Sequence, residues 1–132
     1  MSSEKNLKST SLCQEHLNSN AKMVNFAGWK MPIQYEGILA ETKNVRSIAG
    51  AFDVSHMGVF KISGFSSDKY LNQLLSNNIL KLSNGKAMYT LLCNKTGGVI
   101  DDLIIYKLDD YFILIVNASN KEKDLKWIKN NI

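Results

Sequence analysis

Two adjacent carboxylates, Asp101 and Asp102, sit inside a run of strand-forming residues, Gly97-Gly98-Val99-Ile100-Asp101-Asp102-Leu103-Ile104-Ile105-Tyr106. An ionised carboxylate taken from water into apolar surroundings loses much solvation unless it is paired or hydrogen-bonded, so the placement demands a partner or a ligand. Side chains alternate along a strand, so Asp101 shares one face with Val99, Leu103 and Ile105, and Asp102 shares the other with Ile100, Ile104 and Tyr106. The two aspartates therefore play different parts: one faces solvent or a cation, the other a partner or a ligand. Asp53, Ser55 and His56 invite a hydrolase reading, but triad members converge from separate elements, whereas neighbours on one strand point opposite ways. His16 reads as a packing residue of a helix, and Glu41 and Arg46 as part of a solvated helix face. Cys13 and Cys93 are far apart, and neither cysteine nor either histidine has metal-ligand spacing, so no disulfide framework and no zinc site is predicted.

The elements that position the carboxylates follow from turn chemistry. Residues 87–93 and 111–117 are β-prone, and Asn94-Lys95-Thr96-Gly97-Gly98 is a hairpin connection rich in residues that accept positive φ. The three runs predict an antiparallel meander with the aspartate-bearing strand in the middle, paired on both edges and rigid. Upstream, a short helix is expected within residues 9–20. Residues 21–35 read as an irregular strand or covering loop because Gly28 and Pro32 interrupt them. An amphipathic helix spans 37–48 with Gly50 as its left-handed stop, and a strand spans 52–62. A helix capped by Ser66-Ser67-Asp68 runs to Leu75, residues 79–85 connect, and Ser119 to Glu122 forms a capping box opening a last helix with Leu125, Trp127 and Ile128. The fold class is α+β, an antiparallel sheet with helices packed on it.

The 132 residues suit one modest domain, and 45% apolar content argues against disorder. The net charge of +4 suits an acidic or anionic partner, but Lys and Arg are scattered rather than massed as a nucleic-acid groove requires. The first eight residues are polar and expected to fray, without the apolar core of a secretory leader; no stretch is long and apolar enough for a membrane span, so a soluble, cytoplasmic protein is expected. Asn94-Lys95-Thr96 and Asn117-Ala118-Ser119 then match the glycosylation pattern by chance. The last helix meets the chain end at Ile132 with no stop signal, so the chain reads as cut within an element.

Four pieces in order resemble the N-terminal region of aminomethyltransferase, the T-protein of the glycine cleavage system. They are residues 21–32 (Ala-Lys-Met-Val-Asn-Phe-Ala-Gly-Trp-Lys-Met-Pro), 49–58 (Ala-Gly-Ala-Phe-Asp-Val-Ser-His-Met-Gly), 97–102 (Gly-Gly-Val-Ile-Asp-Asp) and 116–124 (Val-Asn-Ala-Ser-Asn-Lys-Glu-Lys-Asp). The resemblance implies that residues 1–132 form a single, incomplete N-terminal folate-binding domain of such an enzyme. It further implies tetrahydrofolate as co-substrate and lipoylated H-protein as partner, with no nucleic acid and no membrane. Carried over by position, Asp101 matches the catalytic carboxylate, and Met57, Tyr89, Leu103, Ile115 and Asn117 match the folate cavity lining; Asp102 is then mainly structural. The chain departs from the family pattern at Thr10-Ser11-Leu12-Cys13, where Thr-Pro-Leu-Tyr is common, and at Glu41-Thr42, where Glu-His is usual. Two other readings stand beside it: a non-catalytic folate-binding or regulatory module on the same scaffold, and a relative acting on a methylated glycine.

Overall fold

The computed structural model describes residues 6–131. They fall into two compact units that divide between His56 and Met57. The expectations for the first five residues and for the end at Ile132 lie outside the described residues.

The first unit contains β1 (Lys8–Ser9), α1 (Cys13–Asn18), β2 (Lys22–Phe26), β3 (Trp29–Gln34) and α2 (Ile38–Ser47). β3 is central, parallel to β1 and antiparallel to β2. The stretch expected to be irregular is thus a hairpin, because Ala27 and Gly28 both take positive φ, 51° and 81°. Two such residues give the turn whose twist matches a two-residue connection, and Asn25 Oδ1 accepts the Gly28 N–H at 3.0 Å. Pro32 is tolerated in a central strand because β1 pairs only with Trp29 and Lys30. The first helix is shorter than its pattern, since Lys8 and Ser9 are taken up by that pairing.

α2 forms where its periodicity places it, but two details differ. Glu41 is no idle surface charge: its Oε1 accepts the backbone N–H groups of Tyr35, Glu36 and Gly37 at 2.8, 2.9 and 2.8 Å, satisfying amides at the helix entry. These bonds, led by those from Gly37 and Tyr35, hold its carboxyl below the ordinary range. Gly50 is not a left-handed stop either, as it lacks positive φ. An added Cβ there would lie 2.4 Å from Val45 Cγ2, so close approach explains the glycine. Met31 is the single buried apolar side chain among the described residues of this unit.

The second unit contains β4 (Gly58–Ser63), α3 (Ser67–Leu74), a 3₁₀ turn (Ile79–Lys81), β5 (Ala87–Cys93), β6 (Val99–Leu108), β7 (Tyr111–Val116) and α4 (Lys121–Asn130). Its antiparallel sheet has the order β4-β7-β6-β5, so the aspartate-bearing β6 is an interior strand, as the meander predicts. β4 begins at Gly58, later than expected. Before it, Asp53 Oδ1 accepts the Ser55 N–H at 2.9 Å in a local turn that competes with strand formation. Neither expected cap bonds through its side chain: Ser66 sits at φ 59°, and α4 starts at Lys121 behind Asn120, whose amide is used elsewhere.

One face of this sheet is covered and the other is open. Phe60, Leu92, Leu103, Ile105, Phe112, Leu114 and Val116 turn into a core closed by Leu71 and Leu74 of α3, by Ile79 of the 3₁₀ turn and by Ile128 of α4. Each such side chain contributes about 1.5–3 kcal/mol on burial, which gives this unit its stability. Val59, Tyr89, Ile104 and Tyr106 alternate onto the open face. Leu114→Ala, at a fully buried interior position, should cost about 2–5 kcal/mol, whereas Val59→Ala on the open face should cost less than about 1 kcal/mol. Urea denaturation of both variants checks this assignment of faces.

Candidate functional site

The carboxylate pair is placed by the hairpin that precedes it. Asn94 Oδ1 gathers the N–H groups of Thr96 and Gly98 at 3.0 and 2.8 Å and the Thr96 hydroxyl at 2.8 Å, while Gly97 takes φ 85°. Cys93 then pairs with Val99 but Leu92 with Asp101, so Ile100 is an extra residue, a β-bulge directly before the aspartates. Bulges re-aim the side chains that follow them. From there alternation sends Asp101, Leu103 and Ile105 under the helices and Asp102, Ile104 and Tyr106 to the open face.

Asp101 is only 5% exposed. Its Oδ1 accepts the side-chain amides of Asn117 and Asn120 at 3.0 and 2.7 Å, and its Oδ2 accepts the Asn117 backbone N–H at 3.3 Å. Asp124 of α4 lies beside it, its N–H donating at 2.9 Å to the carbonyl of Asn120, and the two carboxyls shift one another. Burial pushes the Asp101 carboxyl up, but the neighbouring Asp124 carboxyl and the hydrogen bonds from Asn117 and Asn120 outweigh it and hold the group below the ordinary range. Asp124 is fully buried, and burial together with the contact to Asp101 pushes its carboxyl up to about 7.

Asp102 is exposed, and the same Asn117 amide that binds Asp101 reaches its Oδ1 at 3.0 Å and its carbonyl at 3.2 Å. On the neighbouring strand Leu91 lies opposite Asp102 and Tyr89 opposite Ile104, which puts Tyr89 diagonally beside the carboxylate. Desolvation and then the charge of Asp102 raise the Tyr89 phenol above its usual value. Ile104 in turn faces Ile115, so Tyr89, Ile104 and Ile115 form one row across the open face beside an acid.

The residues expected to line a single cavity are therefore divided. Tyr89 and Ile115 are on the open face, whereas Asp101 and Leu103 are on the covered one, and Leu103, 2% exposed, is a core residue rather than a lining one. Met57 and Asn117 lie at one sheet end, since Gly58 and Val116 are paired just inside them. Asp101, the expected catalytic carboxylate, is the buried member of the pair, its oxygens accepting from Asn117 and Asn120, and Asp102, expected to be mainly structural, is the member that reaches the surface. The bulge and the helix over Asp101 decide this, and neither is visible in strand periodicity. Asp124 was legible only as sharing a helical face with Ile128, four residues on.

The first unit holds a separate network. His16 Nε2 lies 2.9 Å from Asp53 Oδ2 and its Nδ1 2.8 Å from the Tyr35 hydroxyl. His56 instead packs edge-on against Phe26, with 5.5 Å between ring centroids, so Asp53, Ser55 and His56 form no relay. Burial raises the Asp53 carboxyl, but hydrogen bonds from His16 and Ser55 prevail and hold it well below the ordinary range. A cavity of about 760 Å³ is lined in part by Tyr35, Glu41, Arg46 and Asp53. Of its three acids, Asp53 is bound by His16 and Glu41 by three backbone amides; the third is Glu36. A second cavity, about 340 Å³, opens between Ile100 and Trp127 and includes neither Asp101 nor Asp102. Among the described residues no three side chains could hold a metal ion.

The profile of the GCVT N-terminal domain matches residues 12–132. The chain is 49% identical over 127 residues to an aminomethyltransferase of Caldanaerobacter subterraneus subsp. tengcongensis, covering 96% of this chain and 34% of that protein. It is 52% identical over 123 residues to one of Desulforamulus reducens, covering 92% and 34%. The crystal structure of glycine cleavage system aminomethyltransferase T from Bartonella henselae superposes with a TM-score of 0.88 at 35% identity, over 95% of this chain and 35% of that one. The chain thus spans about a third of the length of the relatives it matches.

The His16–Asp53 contact makes a pH prediction. A carboxyl whose pKa is lower folded than unfolded adds stability above the unfolded value of about 4, and that stability is lost as pH falls toward the folded one. Asp53→Asn should therefore flatten the acid side of the stability profile of the first unit, and Asp53→Ala should cost about 1–3 kcal/mol at neutral pH by leaving His16 unsatisfied. Denaturant melts at stepwise lower pH measure both.

Proposed function

The chain belongs to the GCVT N-terminal domain family, and on that premise we propose that it is the N-terminal portion of a tetrahydrofolate-dependent aminomethyltransferase of the glycine cleavage system. Such an enzyme takes the aminomethyl group from the lipoyl arm of H-protein, passes its carbon to tetrahydrofolate as a methylene bridge and releases ammonia. The balance is simple: the two folate nitrogens each give up a proton, the carbon–sulfur and carbon–nitrogen bonds of the aminomethyl group break, and the thiol and ammonia receive the protons. Two demands fall on the protein, a place for the protons in transit and stabilisation of the positive carbon formed between the two bond changes.

The observation that carries the proposal is Asp102 at the surface of an interior strand, gripped by Asn117 and flanked by Tyr89. A carboxylate on a strand paired along both edges cannot drift from its target, and its charge opposes a cationic carbon directly. Tyr89, 60% exposed, offers a ring face for a flat heterocycle, and Ile104 and Ile115 continue an apolar floor beside it. Met57 and Asn117 border this floor at the sheet end. In this proposal Asp102 is the base and electrostatic stabiliser, and Asp101 holds the scaffold beneath it, the reverse of the order that positional matching suggests.

The test compares amide replacements in the native enzyme that carries this chain. Asp102→Asn should lower turnover about 10²–10⁴-fold with little change in KM for tetrahydrofolate. Asp101→Asn should chiefly lower stability. A larger loss of turnover in a well-folded Asp101→Asn enzyme than in Asp102→Asn would return the reacting role to Asp101. Unchanged ammonia release in both would remove the carboxylates from the chemistry altogether.

A further inference from the structure

Beneath the open face lies a buried pair of acids with no ion pair among the described residues. Asp124 is 0% exposed, and among the described residues no donor reaches either of its carboxylate oxygens, so burial penalises its charged form heavily. Its neighbour is the carboxyl of Asp101: the Asp124 N–H donates to the Asn120 carbonyl at 2.9 Å, the Asn120 side-chain amide donates to Asp101 Oδ1 at 2.7 Å, and each acid shifts the other's carboxyl. The donors on Asp101 are neutral amides, Asn117 and Asn120. On its own helix, the Lys123 ammonium donates to the Ile100 carbonyl at 2.8 Å rather than to either acid; its charge draws the Asp124 carboxyl down, but burial and Asp101 prevail. From α3, the Tyr70 hydroxyl donates to the Ile128 carbonyl. Two buried carboxylates side by side with no cation bonded to either do not both ionise; one keeps its proton and donates it to the other.

The amides settle which one. Asn117 and Asn120 give three hydrogen bonds to Asp101 and none to Asp124, and donors favour the ionised form of the group they bind. We propose that Asp124 is a positioning residue of the carboxylate site: it keeps one proton in a hydrogen bond to Asp101, and the ionised Asp101 fixes Asn117, the amide that in turn holds Asp102. The chain of contact is continuous, since one Asn117 nitrogen lies 3.0 Å from Asp101 Oδ1 and 3.0 Å from Asp102 Oδ1. The part given to Asp102 rests on the aminomethyltransferase reading, while the shared proton does not depend on it.

The pH consequence has a definite sign. The Asp124 carboxyl is raised to about 7, so the stability it contributes is fully present below the unfolded value of about 4 and is lost as pH rises through neutrality. Above that, two charges face each other in the core and the grip on Asn117 loosens.

Aspartate carboxyl ¹³C NMR of the native polypeptide, titrated from about pH 3 to pH 9, tests the shared proton without any substrate. The expected result is one aspartate titrating near neutrality, abolished in Asp124→Asn and moved to lower pH in Asp101→Asn. An Asp124 that titrates in the ordinary carboxylate range, or whose midpoint is unmoved in Asp101→Asn, overturns the proposal. Should the aspartate lose its proton normally while ammonia release is intact, the enzyme reading stands and only the proton pair falls. In the active enzyme Asp124→Ala should lower turnover about tenfold or more with KM little changed. Asp124→Asn, whose amide can replace the donated proton, should recover most of that loss while the inflection near neutral pH disappears. A pH profile identical in wild type and Asp124→Asn would reduce Asp124 to packing.

Discussion

Successive residues of a strand cannot share a face, and in this chain the rule separates two acids. Asp101 goes under the helices, where only hydrogen bonds make it tolerable, and Asp102 goes to the surface. Much of the second unit is arranged around satisfying the buried member. The loop after β7 turns Asn117 and Asn120 inward, and α4 seats Asp124 one turn beyond Asn120, beside the same carboxyl. Asn120 stands where a capping residue is expected, yet its side chain serves the strand instead of the helix. An N-cap bond contributes about 0.5–2 kcal/mol, and a buried carboxylate left unpaired costs more than that, so the amide goes where the penalty is larger.

The meander, its order and the interior position of β6 were legible because residues 87–117 carry strong β-propensity and an unambiguous turn. α2 was legible from its periodicity. What escaped was set by contacts distant in sequence or by single-residue geometry. The hairpin at Ala27–Gly28 depends on an alanine accepting positive φ, which propensity disfavours. Strand 52–62 was truncated by an Asx turn at Asp53 that pattern reading scores as a continuing strand. Glu41 looked solvated because its helix face is polar, but its carboxylate turns back on the three amides before the helix.

The site shows the same division. That one aspartate would need a partner and the other would not follows from alternation alone, and this much was correct. Deciding which is which needs the location of the covering helices, and that depends on Ile128 and on the core residues of α3 reaching the same side as Leu103 and Ile105. Leu103 illustrates the point. A leucine two residues from a functional acid reads as a wall of its cavity, but period two puts it with Asp101 in the core.

Separating the acids also separates the costs of changing them. Residues on the covered face are bound into a close-packed interior, where a change of even one methylene is felt as lost stability. Residues of the open row, Tyr89, Ile104 and Ile115, carry far less of the packing, so their shapes and polarity are free to answer to a ligand. Asn117 is the exception, because its single amide bonds to acids on both faces. Stability and chemistry meet at that residue: a side chain that served only Asp101 would leave Asp102 to swing with solvent, and one that served only Asp102 would leave a buried charge short of a donor. The sheet end at Met57 and Asn117 is therefore where the covered scaffold controls the geometry of the open face.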